Sequence, residues 1–157
     1  MTHRPPSRPL LRPLLRPLLR RSFLTLLPAG LLLPAAAVRA HEYYTASFTI
    51  IHPWAEPTAP GVKATGVYLR FENITADDAL IGASSEIAGR IELRSPDNSV
   101  VKSIALPKGR DISLSAQSAH LVLIDLRTPL LGDRSYPLTL VFQKSGEMQT
   151  MLSMGEH

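Results

Sequence analysis

The side chains able to do chemistry in this chain are few, and most are imidazoles and thioethers. Cysteine is absent from all 157 residues. That removes a disulfide framework, an iron–sulfur cluster, a thiolate zinc site and a Cys nucleophile together. A soft metal ion would have to be held by His and Met alone. The candidates are His41, His52 and His120, with Met148, Met151 and Met154 recurring every third residue ahead of His157. On an extended strand Met148 and Met154 share a face and Met151 takes the other. The three could gather around one ion only from a flexible tail.

Hydrolytic chemistry is poorly served. Ser118, His120 and Asp125 lie close in sequence, but Asp125 is five positions from His120 and falls on the opposite face of a strand. No nucleophile-elbow motif is present. The reading is that the chain is not an enzyme.

The charge is unevenly distributed. Residues 1–40 hold seven Arg and no Asp or Glu, whereas 41–157 hold ten basic and thirteen acidic residues, a net charge of −3. The overall +4 therefore belongs to the first quarter, and nucleic acid is not expected as a partner. That quarter reads as an export leader: a basic start from Arg4 to Arg21, a short apolar stretch from Phe23 to Ala37, and Val38-Arg39-Ala40 before a cleavage point. Arg20-Arg21-Ser22-Phe23-Leu24 resembles a twin-arginine export signal. The apolar stretch is too short to span a bilayer, so no stable membrane span is expected after processing. The expected location is the bacterial periplasm, with the mature chain starting at His41.

The elements that must position the candidate ligands read as strands. Short runs rich in Val, Ile, Leu, Thr and aromatics alternate with turn residues, and no sustained helical periodicity appears. Nine strands are expected: Thr45–Ile51, Lys63–Glu72, Ala79–Ser84, Arg90–Leu93, Val100–Ala105, Asp111–Leu114, His120–Leu126, Leu138–Gln143 and Glu147–Leu152. The seven prolines after residue 40 are assigned to strand boundaries. Both faces of the strand starting at His120 are mostly apolar, which predicts a central strand. Together these argue for an all-β antiparallel sandwich over 41–153, with 154–157 as a flexible C-terminal end.

Several stretches in order carry a family resemblance. His41-Glu42-Tyr43, His52-Pro53-Trp54-Ala55, Thr58-Ala59-Pro60-Gly61-Val62-Lys63 and Gly66-Val67-Tyr68-Leu69 come first. Leu80 to Ser85, Arg90-Ile91-Glu92-Leu93, Leu106-Pro107-Lys108-Gly109, His120-Leu121-Val122-Leu123, Pro129-Leu130 and Tyr136 to Leu140 continue the series. The whole of 41–153 resembles the PCuAC family of periplasmic copper chaperones. That resemblance implies a cupredoxin-like Greek-key β-sandwich, copper as the bound ion, and cytochrome oxidase Cu(A) assembly proteins as partners.

The resemblance also implies a site of two His and two Met, and here the chain departs from it. Arg94 stands where a ligand His ends the Glu-Leu strand. The hairpin over Ser95–Lys102 has no Met, and Val122 occupies the Met position of a His-x-Met pair. His120 alone is kept. Two replacement clusters are available. His41 with a free amine could chelate Cu(II) through that amine and its ring, a second imidazole from His52 or His120 completing the site. Met148, Met151 and Met154 could hold Cu(I), since their spacing resembles Met-rich copper-handling segments. The expected function is periplasmic copper binding through a rearranged His/Met site; the alternative is a metal-free interaction module in oxidase assembly.

Overall fold

The computed structural model describes residues 42–155. The expected leader over 1–40, the proposed chain start His41 and the terminal His157 lie outside the described residues.

Eleven strands follow in chain order: β1 (Glu42–Tyr44), β2 (Thr49–Ala55), β3 (Ala64–Glu72), β4 (Asp78–Ser84), β5 (Arg90–Arg94), β6 (Val100–Val101), β7 (Ile104–Leu106), β8 (Ile112–Leu114), β9 (His120–Ile124), β10 (Tyr136–Phe142) and β11 (Gly146–Met154). No helix occurs among the described residues. The strands join in the order β6-β5-β9-β3-β2-β11-β10-β4-β7, with β1 added to β2 and β8 to β3. Neighbours distant in sequence, such as β9 between β3 and β5, are the crossings a Greek-key sandwich requires.

The inward faces meet in one apolar core. Phe71 of β3 and Phe142 of β10 are separated by β2 and β11 along the sheet path, yet their rings meet edge to face at 5.8 Å. Phe48 completes the cluster, 5.7 Å from Phe71 and 4.8 Å from Phe142. Val67, Leu69, Leu121, Leu123, Leu138, Leu140 and Leu152 fill the space between the layers with almost no exposure. The all-β sandwich expected from strand periodicity is the fold found.

Four details differ from the expectation. β2 and β11 run parallel, through Ser153 opposite Trp54 and Met154 opposite Ala55; the rest of the domain supplies the long crossover that a parallel pair needs. The run 100–105 is two strands, β6 on β5 and β7 on β4, because Lys102-Ser103 carries the chain from one edge of the sheet path to the other. Pro53 and Pro137 lie inside β2 and β10. Pro53 is tolerated where the β2–β3 register shifts between Ile51 and Trp54, since an irregular ladder asks for no N–H there. Met154 is the last residue of β11 and is buried, and Gly155 N donates to Ala55 O at 2.8 Å. The sheet thus holds 154 where a flexible end was expected.

One buried carboxylate fixes the corner between β4 and the β10–β11 hairpin. Asp78 accepts from Ala79 N at 2.8 Å, Lys144 N at 2.9 Å, and Ser145 N and Oγ at 3.0 and 2.6 Å. Burial pushes its carboxyl up, but the hydrogen bonds from Ser145, Lys144 and Ala79 outweigh that and hold it below the usual range.

Candidate metal centre

β9 is central, paired with β3 on one side and β5 on the other. Leu121 and Leu123 point into the core with no exposure, so His120 and Val122 belong to the outer face. Across that face Arg94 of β5 is the register partner of His120, while Glu92 and Gly66 flank Val122. Tyr68 of β3 lies against His120 with ring centroids 6.4 Å apart, and Trp54 of β2 lies 4.9 Å from Tyr68. Trp54, Tyr68, His120 and Arg94 therefore form a row across four adjacent strands. Periodicity predicted the central strand; the row itself needed the register, which no single-strand pattern contains.

Gly66 is required by this row. A Cβ there would stand 2.7 Å from the Tyr68 ring, which folds back along its own strand over residue 66. His120 is only 9% exposed. Its Nδ1 is 2.9 Å from Ser118 O. The Ser118 hydroxyl is engaged with Ser113 O and Ser115 and does not contact the ring. Asp125, on the other side of the strand end, pairs with Arg90 at 2.7 Å.

The position opposite His120 is an ion pair. Arg94 Nη2 meets Glu92 Oε2 at 2.6 Å, and Arg90 Nε meets Glu92 Oε1 at 3.1 Å. The hydrogen bond from Arg94, then that from Arg90, holds the Glu92 carboxyl below the usual glutamate range. Arg94 Nη1 also donates to Asn98 O at 3.4 Å, tying β5 to its hairpin. Its Nε is buried without a hydrogen bond among the described residues. The hairpin is closed by Ser95 N to Ser99 O, 3.0 Å, and by a Ser95–Asp97 hydrogen bond. A permanent guanidinium beside His120 and an alkyl side chain at Val122 do not make a soft-metal donor set. The four-ligand arrangement implied by the resemblance does not fit these residues.

His52 stands elsewhere. It lies on β2 in the left-handed backbone region, φ 46°, inside the register shift between Ile51 and Trp54. Such a backbone is uncommon for a residue other than Gly and costs energy. His52, Trp54, Tyr68 and Arg70 line a groove of about 480 Å³, walled by Ser113 to Gln117. β3 separates β2 from β9, so His52 and His120 start from backbones at least about 10 Å apart. The two are not a ready-made pair. On the other side of β2, β1 pairs as far as Glu42 opposite Ile51, and Tyr43 Oη accepts from Met151 N at 2.7 Å.

The methionines are dispersed. Met148 faces Leu140 and packs against the core, Met151 faces Pro137, and Met154 is 4% exposed in the core. Strand geometry, with the core claiming Met154, keeps them from meeting. Among the described residues no three His, Asp or Glu side chains come together as a metal group, and no helix is long and apolar enough to cross a membrane. Glu92, Tyr68 and Trp54 are not among the candidate site residues read from the sequence, and Ser118 enters there only in the rejected hydrolytic grouping. For Glu92 and Tyr68 the available signal was the period-two spacing, which puts Glu92 with Arg94 and Tyr68 with Gly66.

Comparison with known proteins follows the same lines. The LpqE-like family of lipoproteins matches residues 48–154. The apo PCuAC domain from PmoF1 is 26% identical, covering 74% of this chain and 100% of that one, with a TM-score of 0.69. The copper-bound PCuAC domain from PmoF2 is 24% identical over 74% of this chain and 99% of its own, TM-score 0.68. The Cu(I) form of DR1885 from Deinococcus radiodurans, at 16% identity over 78% and 84%, shares the fold with a TM-score of 0.62. No protein with a curated description matches.

Proposed function

The chain belongs to the LpqE-like family and carries a PCuAC domain, and from that premise we propose that it is an exported, periplasmic copper carrier whose donors are histidines. The cargo is a copper ion, passed toward cytochrome oxidase assembly. Cleavage after Ala40 would leave His41 with a free amine, and the amine and ring of His41 with the ring of His52 make a three-nitrogen set suited to Cu(II).

One observation carries this reading. β1 pairs with β2 as far as Glu42 opposite Ile51, so the described ladder ends on β2 one residue short of His52. The ladder irregularity and left-handed backbone at His52 support it, because such strain gathers at functional positions. The methionines contribute little, since β11 keeps them apart. His120 remains a separate outer-face imidazole.

The test uses protein whose intact mass begins at His41. Titration with Cu(II), followed by electron paramagnetic resonance, is expected to show one equivalent bound to nitrogen donors. One added residue before His41, or His52→Ala, is expected to weaken binding at least tenfold. Equal binding by the extended protein, or none by any form, would overturn the reading.

The Arg94–Glu92 pair favours a second reading, a metal-free interaction module. It supplies a fixed cation where the resemblance implies an ion. Capture of an oxidase-assembly partner that is unchanged by copper supports this reading, and capture that needs copper rejects it.

A further inference from the structure

We infer that Ser118 is the positioning residue of His120, acting through a turn that decides which ring nitrogen carries the proton. The observation is a saturated hydroxyl. Ser118 Oγ donates to Ser113 O at 2.8 Å, accepts from Ser115 N at 2.9 Å, and lies 3.0 Å from Ser115 Oγ, with Ala119 O a more distant acceptor at 3.2 Å. A serine hydroxyl has one proton and two lone pairs, so these contacts within the turn and to β8 occupy it fully. Ser118 N donates to Ser115 O at 3.1 Å and Ser115 N also reaches Ala119 O at 3.3 Å. The turn over 115–119 is therefore tied at one end to β8 through Ser113 and runs at the other into His120.

This turn presents one carbonyl to the ring. Ser118 O stands 2.9 Å from His120 Nδ1, and a carbonyl oxygen can only accept. Nδ1 is therefore the protonated nitrogen of the neutral ring, and Nε2 keeps the lone pair. The partner of one imidazole nitrogen determines what the other can bind. Here it leaves Nε2 as the ring's only acceptor, on the face shared with Tyr68 and Arg94. The hydroxyl acts at one remove: without it the carbonyl is no longer held against Nδ1, although the carbonyl itself survives a substitution at 118. Use of Nε2 as a copper donor would rest on the copper reading above; the tautomer does not.

The experiment is a long-range proton–nitrogen correlation spectrum of the metal-free, nitrogen-15-labelled chain starting at His41, at a pH of about 8, where an ordinary imidazole is neutral. The wild-type His120 is expected to show the Nδ1–H form in at least tenfold excess. Ser118→Ala is expected to reduce that ratio at least tenfold, while Ser118→Thr, which restores a hydroxyl, retains it. Loss of packing alone would not select a tautomer, and the amide spectrum shows whether each variant is folded. An Nε2–H ring in the wild type overturns the inference even if Ser118→Ala cannot be made. So does a folded Ser118→Ala protein with the wild-type ratio. A copper titration that fails while the Nδ1–H form persists rejects the copper reading and leaves this one standing.

Discussion

Arg94 and His120 are register partners on β5 and β9, and Arg94 is held there by a 2.6 Å ion pair to Glu92. The backbone thus offers two neighbouring outward positions on one sheet face, but the side chain on one of them is a cation. Replacing Arg94 and Val122 together, as Arg94→His with Val122→Met, changes donors without changing the strands. The double variant is expected to bind Cu(I) at least tenfold more tightly than the parent, about 1.4 kcal/mol or more, measured against a competing chelator. Arg94→His alone should gain less, because two imidazoles without a thioether are a poorer match for Cu(I). No gain in the folded double variant would mean that this face has lost the geometry as well as the donors.

How far the sequence carries is visible at this same site. The central place of β9 was legible because both faces of 120–124 are mostly apolar, which only a strand covered on both sides needs. The sandwich was legible from strand length and turn spacing. The division of 100–105 into β6 and β7 was not, because each piece is too short for a period to show. The dispersal of Met148, Met151 and Met154 was half legible: alternation puts Met151 apart from the others, but nothing local says that the core claims Met154. The Ser118–His120 contact is a turn hydrogen bond and leaves no periodic trace.

Gly66 exists for Tyr68. Since a Cβ at 66 would stand 2.7 Å from the Tyr68 ring, Gly66→Ala must push the ring off its strand and away from its place beside His120. The expected cost is about 1–3 kcal/mol, as for other overpacked sites, read from urea unfolding. Near-ultraviolet dichroism should change too, because Tyr68 packs on Trp54 at 4.9 Å. A variant with parental stability and spectrum would show that the ring has another position of equal energy.

Asp78 should make the domain sensitive to acid. Its folded carboxyl is held below the ordinary value of 3.8, so the folded state favours the ionised form. The stability this contributes is complete above that ordinary value and is lost as pH falls through it toward the lower folded value. Asp78→Asn still accepts with one oxygen but carries no charge. It is expected to cost about 2 kcal/mol at neutral pH and to flatten the decline between roughly pH 5 and 2. Urea unfolding of both proteins across that range is the measurement. A parallel decline in the two would assign the acid sensitivity to other carboxylates.

Tyr43 links the first strand to the last, and its hydroxyl offers a way to separate local order from donor chemistry. β1 is three residues long and lies on β2; the Tyr43 hydroxyl accepts from Met151 N at 2.7 Å. Tyr43→Phe keeps the ring against the core and removes only that acceptor. One hydrogen bond of this kind is worth about 1 kcal/mol, so Met151 and the β1 amides are expected to exchange their hydrogens roughly five- to tenfold faster. Amides of β9 should be unaffected. If copper is held by His41 and His52, a saturating excess of it must slow exchange of the β1 amides in parent and variant alike, because an ion that binds only the ordered site stabilises it by mass action. The His120 tautomer, governed by the 115–119 turn on the far side of β3, should not move. Copper binding that leaves β1 exchange unchanged would therefore detach the ion from β1 and His52 without disturbing what is inferred for His120.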